Sequence, residues 1–236
     1  MIDGQPLGAS APTDGALAAW AALSASRASV YAWFSSAFAA ELTGESIEAY
    51  RRGDADALFG ALQETGFAAE VKRLRAALEA WAAMPYLKQE LAADFARLFL
   101  IDARDAAMPY ASAYLDPKGQ LYGEPHQKMR TSLQNSGLRV HTGFKEPSDH
   151  LAVVLAYVET SIRRAADVSA SDRASAAADQ ASFLKSALLS WLPQFAQRCQ
   201  GLRKDTASDF YPALAGLLLA FVSEDAAWLE AASEQP

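Results

Sequence analysis

EPSDHLAVVLAYVETSIRR, residues 146–164, carries its apolar side chains at Leu151, Val154, Leu155, Val158 and Ile162. That spacing falls on one face of a helix and on no face of a strand. The residues in front of the stripe suit a helix start. Pro147 fits the first turn, where a backbone N–H is not needed, and Glu146 and Asp149 favour the positive end of the helix dipole. A cap therefore explains both acids without any function. It leaves His150 unexplained, and a carboxylate beside an imidazole can also accept hydrogen bonds from an arginine fork. On the residues alone both readings stand.

Working outward, the same periodicity recurs along the chain. Leu23, Val30, Phe34, Phe38 and Leu42 share a face, as do Phe67, Val71, Leu74, Leu78 and Trp81. Leu87, Leu91, Phe95, Leu98 and Phe99 follow. Phe183, Ala187, Trp191, Phe195 and Cys199 form another stripe, which Pro193 must kink or restart. The last is Leu214, Leu217, Leu218, Phe221 and Val222, with Pro212 tolerable only in a first turn. Alternation of period two occurs only at Leu138, Val140, Thr142 and Phe144, which has no evident partner and reads as an extended connector. Residues 102–125 hold several Pro and Gly residues and read as a long loop, and 167–179 as a flexible link. The expected fold is all-α, a bundle of roughly eight helices with two subdomains joined by an extended hinge. Residues 1–15 are a flexible tail and 16–236 the helical domain, with a front part 16–137, a hinge 138–146 and a back part 147–236.

With 51% hydrophobic residues, the 236-residue chain can bury a large core. A net charge of -7 argues against general nucleic-acid binding and suits a basic peptide as partner. Cys199 is the only cysteine, so an intrachain disulfide is excluded and a reducing compartment fits. Its place at the end of an apolar stripe reads as core packing. No Lys or Arg precedes Arg27, so the start lacks the basic region of a secretory signal. The run from Ala213 to Val222 is too short to span a bilayer. A cytoplasmic protein is expected.

Chemistry-bearing motifs are scarce. No Gly precedes a Lys, which removes a P-loop, and neither a dinucleotide fingerprint nor a Gly-x-Ser-x-Gly elbow is present. No catalytic residue, metal site or cofactor is expected. The rival enzyme reading is a metal-dependent hydrolase built on Asp149, His150, His126 and His141, but His126 and His141 lack ligand-spaced partners. A helical scaffold without a client is a third reading.

A second stretch accompanies the first: Met108-Pro109-Tyr110-Ala111-Ser112-Ala113-Tyr114. Two tyrosines and a proline in a loop make a rigid amphipathic surface, or they pin the loop to the bundle. Residues 91–114 and 144–162 resemble the two signature regions of the TorD family of redox-enzyme maturation chaperones, and Glu146-Pro147-x-Asp149-His150 resembles that family's best-known motif. Val30-Tyr31-Ala32-Trp33-Phe34, Trp191-Leu192-Pro193-Gln194-Phe195, Phe210-Tyr211 and Leu217-Leu218-Leu219 resemble further family segments in the same order. The similarity covers most of the chain from Val30 to Asp225. Pro109 to Tyr114 looks most like the branch that serves trimethylamine N-oxide reductase.

The resemblance implies a cytoplasmic chaperone, not an enzyme. It implies binding of the twin-arginine signal peptide and the apo catalytic subunit of trimethylamine N-oxide reductase while molybdopterin guanine dinucleotide is inserted. The same role for a dimethyl sulfoxide or nitrate reductase is the alternative. It further implies an all-helical monomer able to form a domain-swapped dimer, with no stable membrane insertion, and weak GTP binding for which no motif is present. The residues implied in client binding are Pro109, Tyr110, Ser112, Tyr114, Glu146, Pro147, Asp149 and His150.

Overall fold

Asp14 opens the first helix of the computed structural model, which describes residues 14–101 and 106–234. Residues 1–13 of the expected tail lie outside the described residues. The described residues hold eleven α-helices: α1 (Asp14–Ala39), α2 (Gly44–Arg51), α3 (Asp56–Glu64), α4 (Ala68–Ala80), α5 (Leu87–Phe95), α6 (Ser112–Leu115), α7 (Glu124–Asn135), α8 (Leu151–Arg164), α9 (Arg173–Phe183), α10 (Leu192–Gly201) and α11 (Phe210–Ser233). Each apolar stripe read from the sequence lies on one or two of these helices and the turns that adjoin them, although Leu23 is exposed. The short α2, α3 and α6 add to the expected eight. No strand forms among the described residues, and the single β-bridge joins Tyr110 to His150.

α11 is the central helix. It is apolar around most of its circumference, as a helix enclosed on several sides must be, and buries Leu214, Leu217, Leu218 and Val222 completely. By length and composition it could cross a bilayer, but α4, α9 and α10 pack against it inside the protein. Pro212 sits in its first turn, where no N–H is lost. α1 lies along α8, so the stripe on Leu151 to Ile162 packs against that on Val30 to Phe38. An edge-to-face aromatic cluster of Phe38, Phe95, Phe99, Phe195 and Tyr211 ties α1, α5, α10 and α11 together.

Buried polar contacts tie these helices together. Arg27 Nε and Nη2 donate to the two Asp225 oxygens at 2.5 and 2.9 Å, and the Tyr31 hydroxyl donates to Asp225 at 2.7 Å. Asp94 accepts the N–H groups of Ala207 and Ser208, both at 2.8 Å, and so holds the turn that leads into α11.

Two helices end in π-helical turns, Ala96–Leu100 after α5 and Leu184–Leu189 after α9. The second delivers the chain to Trp191, after which Pro193 stands in the first turn of α10, so the proline restarts the helix. The stretch 167–179, expected to be a flexible link, is helical from Arg173 onward. Its alanines favour helix, and α9 buries only Ala177 and Ala181, too small to register as an apolar stripe.

Candidate functional site

His150 starts α8. Its backbone is extended (φ −63°, ψ 136°), and its Nδ1 accepts the N–H of Ala152 at 3.1 Å. The N-cap is therefore the imidazole, not Glu146 or Asp149, and Pro147 lies before the helix rather than in its first turn. The correction has a physical cause: both acids are engaged by the loop 109–112, and the imidazole is the acceptor left at the cap position.

That loop and the start of α8 form a clasp. Leu151 N–H donates to the Pro109 carbonyl at 2.7 Å, and Ala111 N–H to the Asp149 carbonyl at 3.2 Å. Asp149 Oδ2 accepts both the N–H (2.8 Å) and the hydroxyl (2.5 Å) of Ser112. The Tyr110 hydroxyl donates to Glu146 Oε2 at 2.6 Å, and its ring meets the edge of His150 at 5.0 Å. Burial, and then Glu146, push the Tyr110 phenol well up from its ordinary value. Phe144 meets His150 at 5.2 Å.

The two motifs thus come together, mostly buried. Asp149 is 1% exposed, His150 4%, Ser112 0% and Tyr110 7%, so in this conformation the clasp offers solvent little beyond the Glu146 carboxylate. Pro109 and Pro147 are buried too. Tyr114 faces elsewhere: it stacks on Trp191 at 5.4 Å beneath the Arg198 guanidinium at 4.6 Å, and so pins the loop to α10.

One acceptor in the clasp remains open. Asp149 Oδ1 is buried without a hydrogen-bond partner, a condition that costs about 1–3 kcal/mol or more for a charged group. Asp149 lines a cleft of about 660 Å³ between α6, α7, α8 and the π turn after α9. Leu115, Pro125, Met129, Val154 and Phe183 give the cleft an apolar wall; Asp116 adds acid, while Glu124 is paired with Lys128 of the same cleft at 2.7 Å. Such a cleft can seat an apolar chain with a cation at one end.

His126 belongs to this site, though nothing in the sequence separated it from the other histidines. It accepts the Ser148 N–H at 2.9 Å, stands 3.9 Å from Asp149 Oδ1 and meets the exposed Tyr122 ring. In all three histidines Nδ1 accepts a backbone N–H: Ser148 to His126, Gly143 to His141 and Ala152 to His150. Among the described residues no three His, Cys, Asp or Glu side chains are grouped to hold a metal. Cys199 is buried in the core, where desolvation pushes its thiol well up, so it is a poor nucleophile.

The clasp makes stability depend on pH. Burial lowers the His150 imidazole from 6.5 to about 4. The unfolded chain takes up this proton near its ordinary value and the folded chain only near the lowered one, so stability falls as pH drops through that window. The full effect is about 3 kcal/mol. Urea unfolding across the window should show the loss. His150→Asn, which keeps a capping acceptor, should flatten it, and an unchanged slope in that variant would assign the effect to another group.

Residues 37–197 match the family model described as nitrate reductase delta subunit. The chain is 40% identical over 217 residues to a protein from Psychrobacter sp. (strain PRwf-1) named chaperone protein TorD, covering 91% of this chain and 96% of that one. It is 40% identical over 205 residues to a Vibrio cholerae serotype O1 protein of the same name (86% and 91% covered). A third so named, from Photobacterium profundum, is 36% identical over 208 residues (86% and 94%).

Proposed function

The chain belongs to the nitrate reductase delta subunit family, among its TorD chaperones, and we propose that it serves one exported molybdoenzyme by holding that client's twin-arginine leader in the cleft floored by Asp149. The observation that carries this reading is the unpartnered Asp149 Oδ1 beside an apolar wall. A leader of this type has a basic start and an apolar middle. An arginine N–H at Oδ1 satisfies the buried acceptor that the clasp leaves unpaired, and the apolar residues behind it lie against Leu115, Met129 and Val154. Entry requires the rim at 115–120, which is largely exposed, to shift outward. The clasp residues Tyr110, Ser112, Glu146 and His150 position the carboxylate without touching the leader.

In this reading the client is the apo catalytic subunit of trimethylamine N-oxide reductase, held in the cytoplasm until molybdopterin guanine dinucleotide is inserted. The names of the relatives and the Pro109–Tyr114 string favour that client over other molybdoenzymes. The chain contributes recognition, and the cofactor belongs to the client. Co-expression with the candidate reductase tests the assignment. Affinity capture should recover the unprocessed, cofactor-free precursor, and deleting the leader's arginine pair should greatly reduce recovery. Equal recovery without the arginines would overturn the role of the cleft.

A further inference from the structure

Phe183 lines two cavities. One is the cleft above; the other, of about 170 Å³, lies farther along α8 and is walled by Arg27, Val158, Ser161, Gln180 and Leu184. Two donors here are buried and unpaired, Arg27 Nη1 and Gln180 Nε2. Arg27 is 5% exposed, and its charge is balanced by Asp225. Gln180 Oε1 accepts from Arg27 Nη2 at 3.0 Å, which fixes the amide with its NH₂ free. Two N–H donors, a balanced charge and apolar walls suit a neutral oxygen acceptor carried on an apolar body. A backbone carbonyl has two lone pairs and can take both donors. The exposed Asp179 at the same cavity disfavours an anion.

We propose that this cavity is a second seat for the leader peptide, taking one apolar residue and its backbone carbonyl. The inference rests on the assignment of the leader's basic end to Asp149. From Asp149 to Ser161 the helix rises roughly 18 Å. An extended segment, whose carbonyls are free to accept, covers that in about five or six residues. The pair of seats therefore acts as a ruler: a cation at Asp149 and an apolar residue five or six positions later at Arg27 and Gln180.

Two substitutions test the second seat without touching the first. Gln180→Glu keeps the acceptor for Arg27 and replaces the free donor with an acceptor. Ser161→Phe fills the cavity from α8. The probe is a labelled synthetic peptide with an arginine pair followed by an apolar stretch, compared with a version truncated three residues after the pair, both read by fluorescence anisotropy. Each variant, checked for a native melting transition, is expected to bind the long peptide about tenfold more weakly, the scale of one lost hydrogen bond plus lost burial, and the short one unchanged. Asp149→Asn should weaken both peptides. Undiminished affinity of both cavity variants for the long peptide, as for a cavity that holds only water, overturns the second seat and leaves the first intact. A short peptide indifferent to Asp149→Asn overturns the first seat, whatever the cavity variants do.

Discussion

Asp225→Ala is expected to destabilise the protein by about 3–5 kcal/mol, the usual result of removing one partner from a buried ion pair. The Asp225 and Arg27 side chains are 4% and 5% exposed, and the carboxylate receives two guanidinium N–H bonds and the Tyr31 hydroxyl. Its loss leaves a phenol without an acceptor, and a positive charge held only by the neutral Gln180 Oε1, buried where α1 meets α11. For a chain of this size the melting temperature should drop by on the order of 10 °C. The isolated charge, not the pair's attraction, is the cause. Arg27→Met combined with Asp225→Leu should therefore recover most of the loss, because an apolar pair of similar volume removes the unpaired charge and leaves only the Tyr31 hydroxyl without its acceptor. Thermal unfolding of the single and double variants checks this, and a double variant as unstable as the single one would refute it.

Asp149→Asn is expected to have the largest effect on binding. The side-chain oxygen of asparagine can still accept from Ser112, so the clasp keeps its shape. The NH₂ group then stands where Oδ1 was open and meets an incoming guanidinium donor to donor. A charge-assisted hydrogen bond contributes about 1.5–3 kcal/mol, so the dissociation constant should rise roughly ten- to hundredfold. Asp149→Ala would weaken binding too, but it also strands the N–H and hydroxyl of Ser112, so the asparagine variant separates recognition from folding. Calorimetric titration with the leader peptide, alongside a melting curve, measures both. Salt should weaken wild-type binding only in part, since burial against Leu115, Met129 and Val154 is insensitive to screening.

Period and position, rather than composition, made most of the fold legible. The α8 stripe and its counterpart on α1 are readable because bulky side chains recur on one face, and the structure packs those faces together. The start of α9 was not legible, because alanine marks a buried face too weakly. The placements of Pro193 and Pro212 follow directly from the missing N–H.

The site was legible as two strings and not as a geometry. Tyr110 and His150 are separated by the loop, α6, α7 and the connector, and no local pattern specifies that they meet. Nor does the sequence reveal that Asp149 turns back to Ser112, leaving the cap to His150, or that Tyr114 faces α10. His126 and Phe183 were missed for the same reason: His126 was read only as a candidate metal ligand and Phe183 as one residue of an apolar stripe, and only packing brings them beside Asp149 or between the two cavities. The sequence suggested an acidic helix start and an aromatic loop, whereas the structure has a buried carboxylate with one unpaired oxygen beside an apolar wall.

The most direct test of that receptor is photo-crosslinking from the leader itself. A benzophenone placed beside the arginine pair of a synthetic leader should, on irradiation, attach to residues around Leu115, Pro125 and Met129, identified by mass spectrometry after digestion. Attachment confined to another apolar surface, such as the exposed Leu100 and Ile101, would contradict the assignment of the basic end to Asp149.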